Sequence, residues 1–582
     1  MKKLNTTLIA ALAMLLPAAA MAKDLKTEIT VDRTIVPVER EAVRLSALNP
    51  QLMQSQVKFR KLTLADYTKP ALLTRSLTTL DPAAYADTFA LSPYKGYAAI
   101  GYFPAFNLGA SAGYRFIDKS RTRLGAWFQY DGYSYKESGD DASKGTFSNN
   151  TVALGAHFDQ RVGDASNFSA AMAYSFAGLG MPDDFVNTKQ NANMFDLDLG
   201  WWSRTGLIGY HAKALFSHFS FGKNVILSEV DDIPVSVKAA GENRFRFSGG
   251  IGYFGSSVAP RGGVEISADF INRSNGYEQI EFQTAAKDFE PRFAPISAKT
   301  LGVISLTPYY AVNSGTVHGR IGAKIELSSG GEGKKFHIAP AVMLDWNAAS
   351  QFALYTRIEG GEHLNSLRSL FEYCPWANAA WQYQRSHLPV IADFGMNIGP
   401  FRGFSIRLFG GYAVANDWLM PQLSTLPSND GALQTNVSNF GTYDLKGWHA
   451  GAAMAYDWRS IVKAELSFET APQKPDRGYF MWRDRAKYVL KASVDVRPVD
   501  RLNVGVGYQL RTKRCNYAFD GHEYTLIDLG QISDMRLSAA YDISDALTAF
   551  VRVENLLNKR SMIMTDIEAQ GIKGLLGVSY KF

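Results

Sequence analysis

Residue patterns that could support catalysis or cofactor binding are few in this chain. Residues 250–255 match the G-x-G-x-x-G pattern of dinucleotide sites, but the sequence SSVAP follows them where a helix would have to begin. The nine histidines show neither H-E-x-x-H nor another ligand spacing. No Ser/His/Asp set stands at a useful spacing either. The sequence therefore predicts no enzyme activity, no cofactor and no metal ligands.

The segments that carry these residues have an apolar period of two. It is clearest in residues 151–159, 243–253, 316–327 and 503–511. Successive side chains of a strand point to opposite faces, so each segment has one apolar face and one face that takes the charges. These predicted strands of roughly 9 to 13 residues are longer than the five or six that soluble sheets favour.

The composition agrees with a β protein. Aromatic residues make up 13% of the chain and hydrophobic residues 46%, with 50 glycines. Beyond the N-terminus, no run approaches the roughly 18 apolar residues that a membrane helix requires. The formal net charge is +6, and it is +4 without Lys2 and Lys3. A charge this small over such a length does not indicate nucleic-acid binding.

The N-terminus predicts secretion. Lys2 and Lys3, an apolar run over 8–16 and the A-x-A sequence at 20–22 have the layout of a signal peptide. We therefore expect residues 1–22 to be removed and the mature chain to lie outside the cytoplasm.

Short and long connections alternate between the predicted strands. Tight turns are predicted at 163–167, 204–206, 399–403 and 543–546, and long polar loops at 137–147, 222–241, 273–297, 416–440 and 513–527. Outer-membrane barrels have this layout, with short periplasmic turns and long extracellular loops, whereas a soluble β-sandwich has shorter strands. We predict an all-β protein in the bacterial outer membrane, a transmembrane antiparallel β-barrel of about 22 strands over residues 96–582.

The last residues of the chain predict the closing strand of this barrel. Leu576, Val578, Tyr580 and Phe582 would share the face that meets lipid. A terminal aromatic residue on such a strand is similar to the signal by which barrel assembly machinery recognises its clients. Tyr580 and Phe582 are therefore candidate assembly-signal residues, and the assembly machinery and outer-membrane lipid are expected partners.

Both signs of charge occur on the predicted inner face. The basic residues there are Arg244, Arg246, Arg320, Lys324, Arg407 and Arg511, and the acidic ones are Asp131, Asp159, Glu326, Asp495, Asp534 and Glu554. These side chains fit a solvated wall of compensating charges better than acid/base catalytic pairs. Because both signs are present, the basic set does not predict selectivity for anions.

The two cysteines, Cys374 and Cys515, are too few for a disulfide framework or a cysteine metal cluster. Both fall in predicted external loops, and the oxidising location permits a disulfide between them. Two separate thiols are the alternative.

Two stretches near the C-terminus resemble the barrels of TonB-dependent receptors. Residues 553–560 (VENLLNKR), followed by a loop and by GLLGVSYKF at 574–582, look like the end of these barrels. The segment 387–417, with GGY at 410–412, is similar to the same group. The resemblance implies a receptor-type barrel that takes part in transport, although the globular plug domain of that family is not recognisable here.

Residues 23–95 are predicted to form an N-terminal periplasmic or lumen-filling segment. Its residues 27–39 (TEITVDRTIVPVE) could add as a strand to a periplasmic partner, as a TonB box does, so coupling to TonB stays open. A tether below the barrel is the other interpretation. We expect an extended segment that partly fills the lumen, because an empty barrel of this size would be a wide hole.

Two functions are compatible with these features. The first is a channel or transport component for solutes or nutrients, working with a partner plug or a surface lipoprotein. The alternative is a structural or scaffold subunit of an outer-membrane assembly or secretion complex, without transport activity of its own.

Overall fold

The structure of the protein is a computed structural model, and it describes most of the chain after residue 93. The described residues are 94–104, 106–136, 145–182, 188–221, 223–227, 234–238, 241–254, 260–274, 280–282, 300–331, 333–376, 385–423, 438–459, 461–470, 473–475, 486–519, 524–564 and 567–582. The predicted signal peptide, residues 23–93 and much of the predicted loops lie outside them.

The described residues form 28 strands and a short helix. In chain order the strands are β1 (Gly96–Phe103), β2 (Asn107–Asp118), β3 (Thr122–Lys136), β4 (Thr146–Val162), β5 (Ser166–Gly180), β6 (Lys189–Thr205), β7 (Ile208–Phe221), β8 (Lys223–Leu227), β9 (Pro234–Lys238), β10 (Gly241–Tyr253), β11 (Gly262–Ser274), β12 (Ile280–Phe282), β13 (Thr300–Asn313), β14 (Val317–Ser329), β15 (Phe336–Ala349), β16 (Phe352–Leu364), β17 (Arg385–Phe401), β18 (Phe404–Leu423), β19 (Ser438–Trp458), β20 (Val462–Thr470), β21 (Gln473–Pro475), β22 (Tyr488–Val499), β23 (Leu502–Phe519), β24 (Tyr524–Asp542), β25 (Leu547–Glu554), β26 (Met562–Met564), β27 (Ile567–Glu568) and β28 (Lys573–Lys581). The helix is α1 (Leu367–Tyr373). Among the described residues, no helix has both the length and the apolar character of a membrane span.

Most of these strands form one closed antiparallel sheet, which we call the wall. Strands β20 and β21 lie one after the other along β19, so the wall has 22 strands. Strands β8, β9 and β12 form a small separate sheet, and β26 pairs with β27. The predicted fold class and strand number are confirmed. Closure is what a membrane requires, because an open edge would leave unpaired backbone groups in lipid.

The wall closes where β1 pairs with β28, and we call this junction the seam. At its lower end the carbonyl oxygen of Phe582 accepts hydrogen bonds from the backbone N–H groups of Lys95 and Gly96, both at 2.8 Å. The Phe582 ring stacks on that of Tyr114, with centroids 6.0 Å apart. A Cβ on Gly96 would lie 2.7 Å from the Phe582 ring, so the glycine allows this close packing.

Most short connections lie at one end of the wall and most long ones at the other, although the three residues between β1 and β2 lie at the end with the long connections. All four predicted tight turns are at the end that carries both the start of β1 and the end of β28, which is the periplasmic end in barrels of this layout. The predicted external loops are at the opposite end, but two are shorter than expected. Strand β18 continues to Leu423, and β23 and β24 continue to Phe519 and from Tyr524. The sequence prediction ended these strands too early because their outer parts carry polar residues.

The two faces of the wall differ as the period of two predicts. On β28, Leu576, Val578 and Tyr580 are 64%, 45% and 52% exposed, whereas Ser579 between them is buried. On β10, Phe245 is exposed on the outside, and its neighbour Arg244 points inward. An apolar outer belt and a polar inner face are the arrangement that a lipid bilayer stabilises.

We predict that an arginine on the outer face of β22 destabilises the barrel more than one on its inner face. Val494 faces outward at mid-strand, and Ser493 faces inward next to Glu465 on β20. Val494→Arg should lower the free energy of unfolding in lipid vesicles by about 2–4 kcal/mol, because the charge must enter hydrocarbon. Ser493→Arg meets water and a carboxylate, so its loss should be much smaller. Denaturant titration followed by tryptophan fluorescence measures both, and equal losses would show that the faces are assigned wrongly.

We also predict that removing residues 580–582 prevents closure. The deletion takes away the Phe582 backbone contacts to β1 and the stacked aromatic pair of Tyr580 and Phe582, whose centroids are 6.1 Å apart. Heat-modifiable migration on gels reports barrel closure, and the truncated protein should lose it. Replacing only the two rings, with Tyr580→Leu and Phe582→Leu, separates the backbone contribution from the assembly signal. Normal folded migration and normal membrane yield of the truncated protein would contradict the prediction.

Candidate functional site: the barrel lumen and its inward loop

The inner face of the wall carries charged residues in pairs of opposite sign. Arg244 on β10 makes two hydrogen bonds to Asp269 on β11, at 2.8 and 2.5 Å. Arg357 on β16 binds both oxygens of Asp345 on β15, at 2.8 and 2.9 Å. Paired guanidinium and carboxylate groups of this kind give a hydrated surface with little net field.

The six basic residues predicted for the lumen are distributed over four strands of the wall, β10, β14, β18 and β23. Arg246 lies opposite Asp269, next to Arg244, and Arg320 pairs with Glu265. Lys324 donates a hydrogen bond to the Gly360 carbonyl oxygen at 2.8 Å. Arg407 lies opposite Asn397 on β17, and Arg511 is next to the amide of Gln509 on its own strand.

Several of the predicted acidic residues are the partners of other wall cations. Glu554 pairs with Lys573 at 2.8 Å and with Arg552, and Asp534 pairs with Arg536 at 2.7 Å. Glu326 lies 3.7 Å from Lys324. The lumen is therefore lined by local ion pairs rather than by a single basic or acidic surface.

A loop between β16 and β17 folds into this lumen. Its described part, residues 365–376, contains α1, and we call it the inward loop. The helix begins because Ser366 caps it: the Ser366 hydroxyl accepts from the Ser369 N–H at 3.0 Å, and the Ser369 hydroxyl accepts from the Ser366 N–H at 3.1 Å. Reciprocal capping of this kind satisfies backbone donors that a short helix otherwise leaves unpaired.

The inward loop packs on a distant part of the wall. Strands β10, β11, β13, β14 and β15 separate β7 from β16 around the barrel, yet the ring of Phe371 contacts Phe219 and Phe221 of β7, with centroids 5.5 and 5.8 Å apart. Other members of the same apolar cluster come from the inner faces of β4, β5 and β6; they are Phe147, Ala177, Ala192 and Met194. The loop therefore extends across one side of the lumen near its outer end.

Burial of apolar side chains holds α1 in this position. Leu367, Leu370, Phe371 and Trp376 are at most 6% exposed. Fully burying a leucine or phenylalanine side chain contributes about 1.5–3 kcal/mol, so these contacts outweigh what capping alone supplies.

Charged wall residues fix the N-terminal end of α1. The carboxylate of Glu242 on β10 accepts hydrogen bonds from the backbone N–H groups of Leu367 at 2.7 Å and Arg368 at 3.1 Å. Arg368 donates to Asp196 on β6 at 2.5 Å and to Glu372 at 3.0 Å. Although burial acts to lower it, the pKa of Arg368 is raised overall by the hydrogen bond to Asp196 and by the Glu372 charge. The loop is thus anchored to two strands that are remote from it in sequence.

The sequence does not predict the inward loop. Residues 365–384 are more apolar than the predicted external loops, and their period is not that of a strand. The usable signal is the capping pattern of Ser366 and Ser369 before an apolar pair, Leu370 and Phe371. This pattern does not show where the helix packs, because its partners Asp196 and Glu242 are more than a hundred residues earlier in the chain.

Cys374 belongs to the inward loop, where it is fully buried in the apolar cluster. The side chain of Cys515 lies outside the described residues. The disulfide between Cys374 and Cys515 therefore stays a prediction.

Comparison with known proteins identifies the fold. No protein-family model matches the chain, and no curated protein matches it. Among solved structures, Pseudomonas aeruginosa FpvA with heterologous pyoverdines matches with a TM-score of 0.60 and 10% identity, over 84% of this chain and 72% of FpvA. The siderophore receptor PirA from Acinetobacter baumannii gives 0.59 and 10%, over 84% and 80%. A mutant of the ferric enterobactin receptor PfeA from P. aeruginosa, in complex with enterobactin, gives 0.61 and 11%, over 85% and 82%.

At these identities the comparison shows a shared fold. The predicted resemblance to the barrels of TonB-dependent receptors is confirmed at that level, and the fold agrees with an outer-membrane location. Within residues 94–582, as far as they are described, no plug domain is present.

We predict that Glu242→Ala loosens the inward loop. The substitution leaves the N–H groups of Leu367 and Arg368 without their carboxylate, and loss of a capping group costs about 0.5–2 kcal/mol. Amide hydrogen exchange of residues 367–376, measured by mass spectrometry, should become faster by about two- to thirtyfold.

Glu265→Ala is the matched control, because Glu265 also faces the lumen and pairs with Arg320 but lies near the periplasmic end of β11, whereas α1 packs near the outer end of the wall. Exchange over residues 367–376 should not change in that variant. Unchanged exchange in Glu242→Ala, or an equal change in both variants, would mean that Glu242 does not anchor the loop.

Proposed function

We propose that the protein is a transport component of the outer membrane, a channel through which a solute or nutrient passes under the control of elements inside the lumen. The observation that carries the proposal is the wide lumen of a 22-strand barrel, lined by ion pairs and narrowed on one side by the inward loop. A barrel of this size is too wide to be filled by its own wall side chains, so its lumen is either a passage or a plugged passage.

Two features support transport over a purely structural role. The lumen side chains are polar and charged along most of the wall, whereas a scaffold would have no need of a hydrated interior. The solved structures that share the fold include FpvA bound to heterologous pyoverdines, a siderophore receptor, and a ferric enterobactin receptor in complex with enterobactin. We further propose that residues 23–95 or a partner plug fill the part of the lumen that the inward loop leaves open, or that a surface lipoprotein caps the barrel.

Planar-bilayer conductance tests the proposal. We expect small or infrequent currents from the mature full-length chain and larger currents after deletion of residues 23–95. Replacing the apolar contacts of the inward loop, by Leu370→Ser with Phe371→Ser, should enlarge the currents further, because the loop then leaves the wall. An outer-surface variant, Phe245→Leu, controls for general loosening of the barrel. Heat-modifiable migration verifies that each barrel is closed.

The alternative makes the opposite prediction. A scaffold subunit without transport activity should show no conductance in any of these variants, although each barrel is closed. That result would contradict the transport proposal. Currents that increase with the outer-surface control as much as with the loop variant would show that the inward loop does not restrict the lumen.

A further inference from the structure

On three adjacent strands, one carboxylate oxygen lies close to a nitrogen atom of each of two imidazole rings. His337 is on β15, Glu362 on β16 and His387 on β17. Glu362 Oε1 lies 2.9 Å from His337 Nε2 and 3.1 Å from His387 Nδ1. The two imidazole rings are 4.0 Å apart with 32° between their planes. Since Ile338 is exposed on the outer face, His337 faces the lumen.

The rest of the Glu362 carboxylate is fixed by neighbouring groups. Arg385 Nη1 lies 3.1 Å from Oε2, which leaves Oε1 directed at the imidazoles. The backbone N–H of Glu362 donates to Glu326 at 2.7 Å. Gly361 has a φ of 133°, and a Cβ there would lie 2.7 Å from the Glu326 carboxylate, so only glycine permits this approach. Such surrounding contacts orient a carboxylate ligand.

We propose that His337, Glu362 and His387 bind a divalent transition-metal ion of the Zn²⁺ type. Two imidazole nitrogens and one carboxylate oxygen form a donor set that zinc accepts, and the hard cations Mg²⁺ and Ca²⁺ prefer oxygen alone. The three ligand atoms lie within 4.8 Å of one another. Tetrahedral zinc with bonds of about 2.0–2.1 Å would separate its ligand atoms by about 3.3 Å, close to the distances found here.

A second observation points to the same ligand. His387 Nδ1 is buried but has no hydrogen-bond partner, since its 3.1 Å approach to Glu362 does not have hydrogen-bond geometry. A buried ring nitrogen without a partner is costly, and a metal ion between it and the carboxylate would remove that cost. Three protein ligands leave a fourth position for water or solute from the lumen.

The site also lies at both ends of the inward loop. Glu362 is three residues before the first residue of that loop, and His387 is two residues after the start of β17, which follows the loop. A bound ion would therefore tie together the two strands from which the loop extends. This inference does not depend on whether the protein transports a solute.

The sequence could not indicate this set. The three ligands are 25 residues apart in each case, which is not a local metal-binding spacing, and only antiparallel pairing brings them together.

Zinc binding to the full mature chain without a histidine tag, in detergent after chelator treatment, tests the proposal. Isothermal titration with Zn²⁺ should give one ion per chain, and Co²⁺ should give the visible absorption of a tetrahedral nitrogen and oxygen site. His337→Ala, His387→Ala and Glu362→Gln should each weaken Zn²⁺ binding at least as much as the 10–100-fold that loss of outer-shell partners costs. His318→Ala is the matched control. His337 lies beside Glu326 near one end of β14, and His318 lies at the other end of that strand.

Each result decides the proposal. One zinc per wild-type chain, lost in the three ligand variants and kept in His318→Ala, supports it. No zinc binding by the wild-type chain overturns it without reference to any variant. Equal binding by the wild type and the ligand variants, with barrel closure verified on gels, also overturns it, as does equal affinity for Mg²⁺ and Zn²⁺.

Discussion

Every backbone N–H and C=O group of a strand in lipid must have a protein partner, because no water is present to replace it. In this protein the last unpaired edges meet at the seam between β1 and β28. An antiparallel wall whose first strand starts and whose last strand ends at the periplasmic side must have an even number of strands. The short turns, the long external connections and the outward apolar side chains follow from this closure and from the surrounding lipid.

Closure of 22 strands creates a second problem, the width of the lumen. Ion pairs such as Arg244 with Asp269 make the inner face of this wide lumen polar. The inward loop narrows it. Its apolar helix follows β16 and packs against Phe219 and Phe221 on β7. The Glu242 carboxylate on β10 accepts a hydrogen bond from the first backbone N–H group of this helix. Wall and loop together thus give a lumen that is polar at most heights and narrowed near its outer end.

The sequence is informative wherever the structural rule is local. Alternation in Leu576 to Phe582 predicts the face that meets lipid, and turn and loop lengths predict strand number and orientation, because both depend on nearby residues. Other contacts depend on strand register and closure. They are the packing of the inward loop, the ion pair of Arg368 with Asp196, and the grouping of His337, Glu362 and His387. No local pattern encodes those contacts, which is why the sequence predicts the wall well and the contents of the lumen poorly.

The protein narrows its own lumen with the loop between β16 and β17. Photocrosslinking from residue 371 in native outer membranes tests it most directly, with a diazirine-bearing phenylalanine in place of Phe371. Digestion and mass spectrometry should find the crosslink on the peptide that contains Phe219 and Phe221, since both rings lie next to Phe371. Crosslinks to lipid, to external loops or to β17 alone would place the loop outside the lumen and contradict the claim.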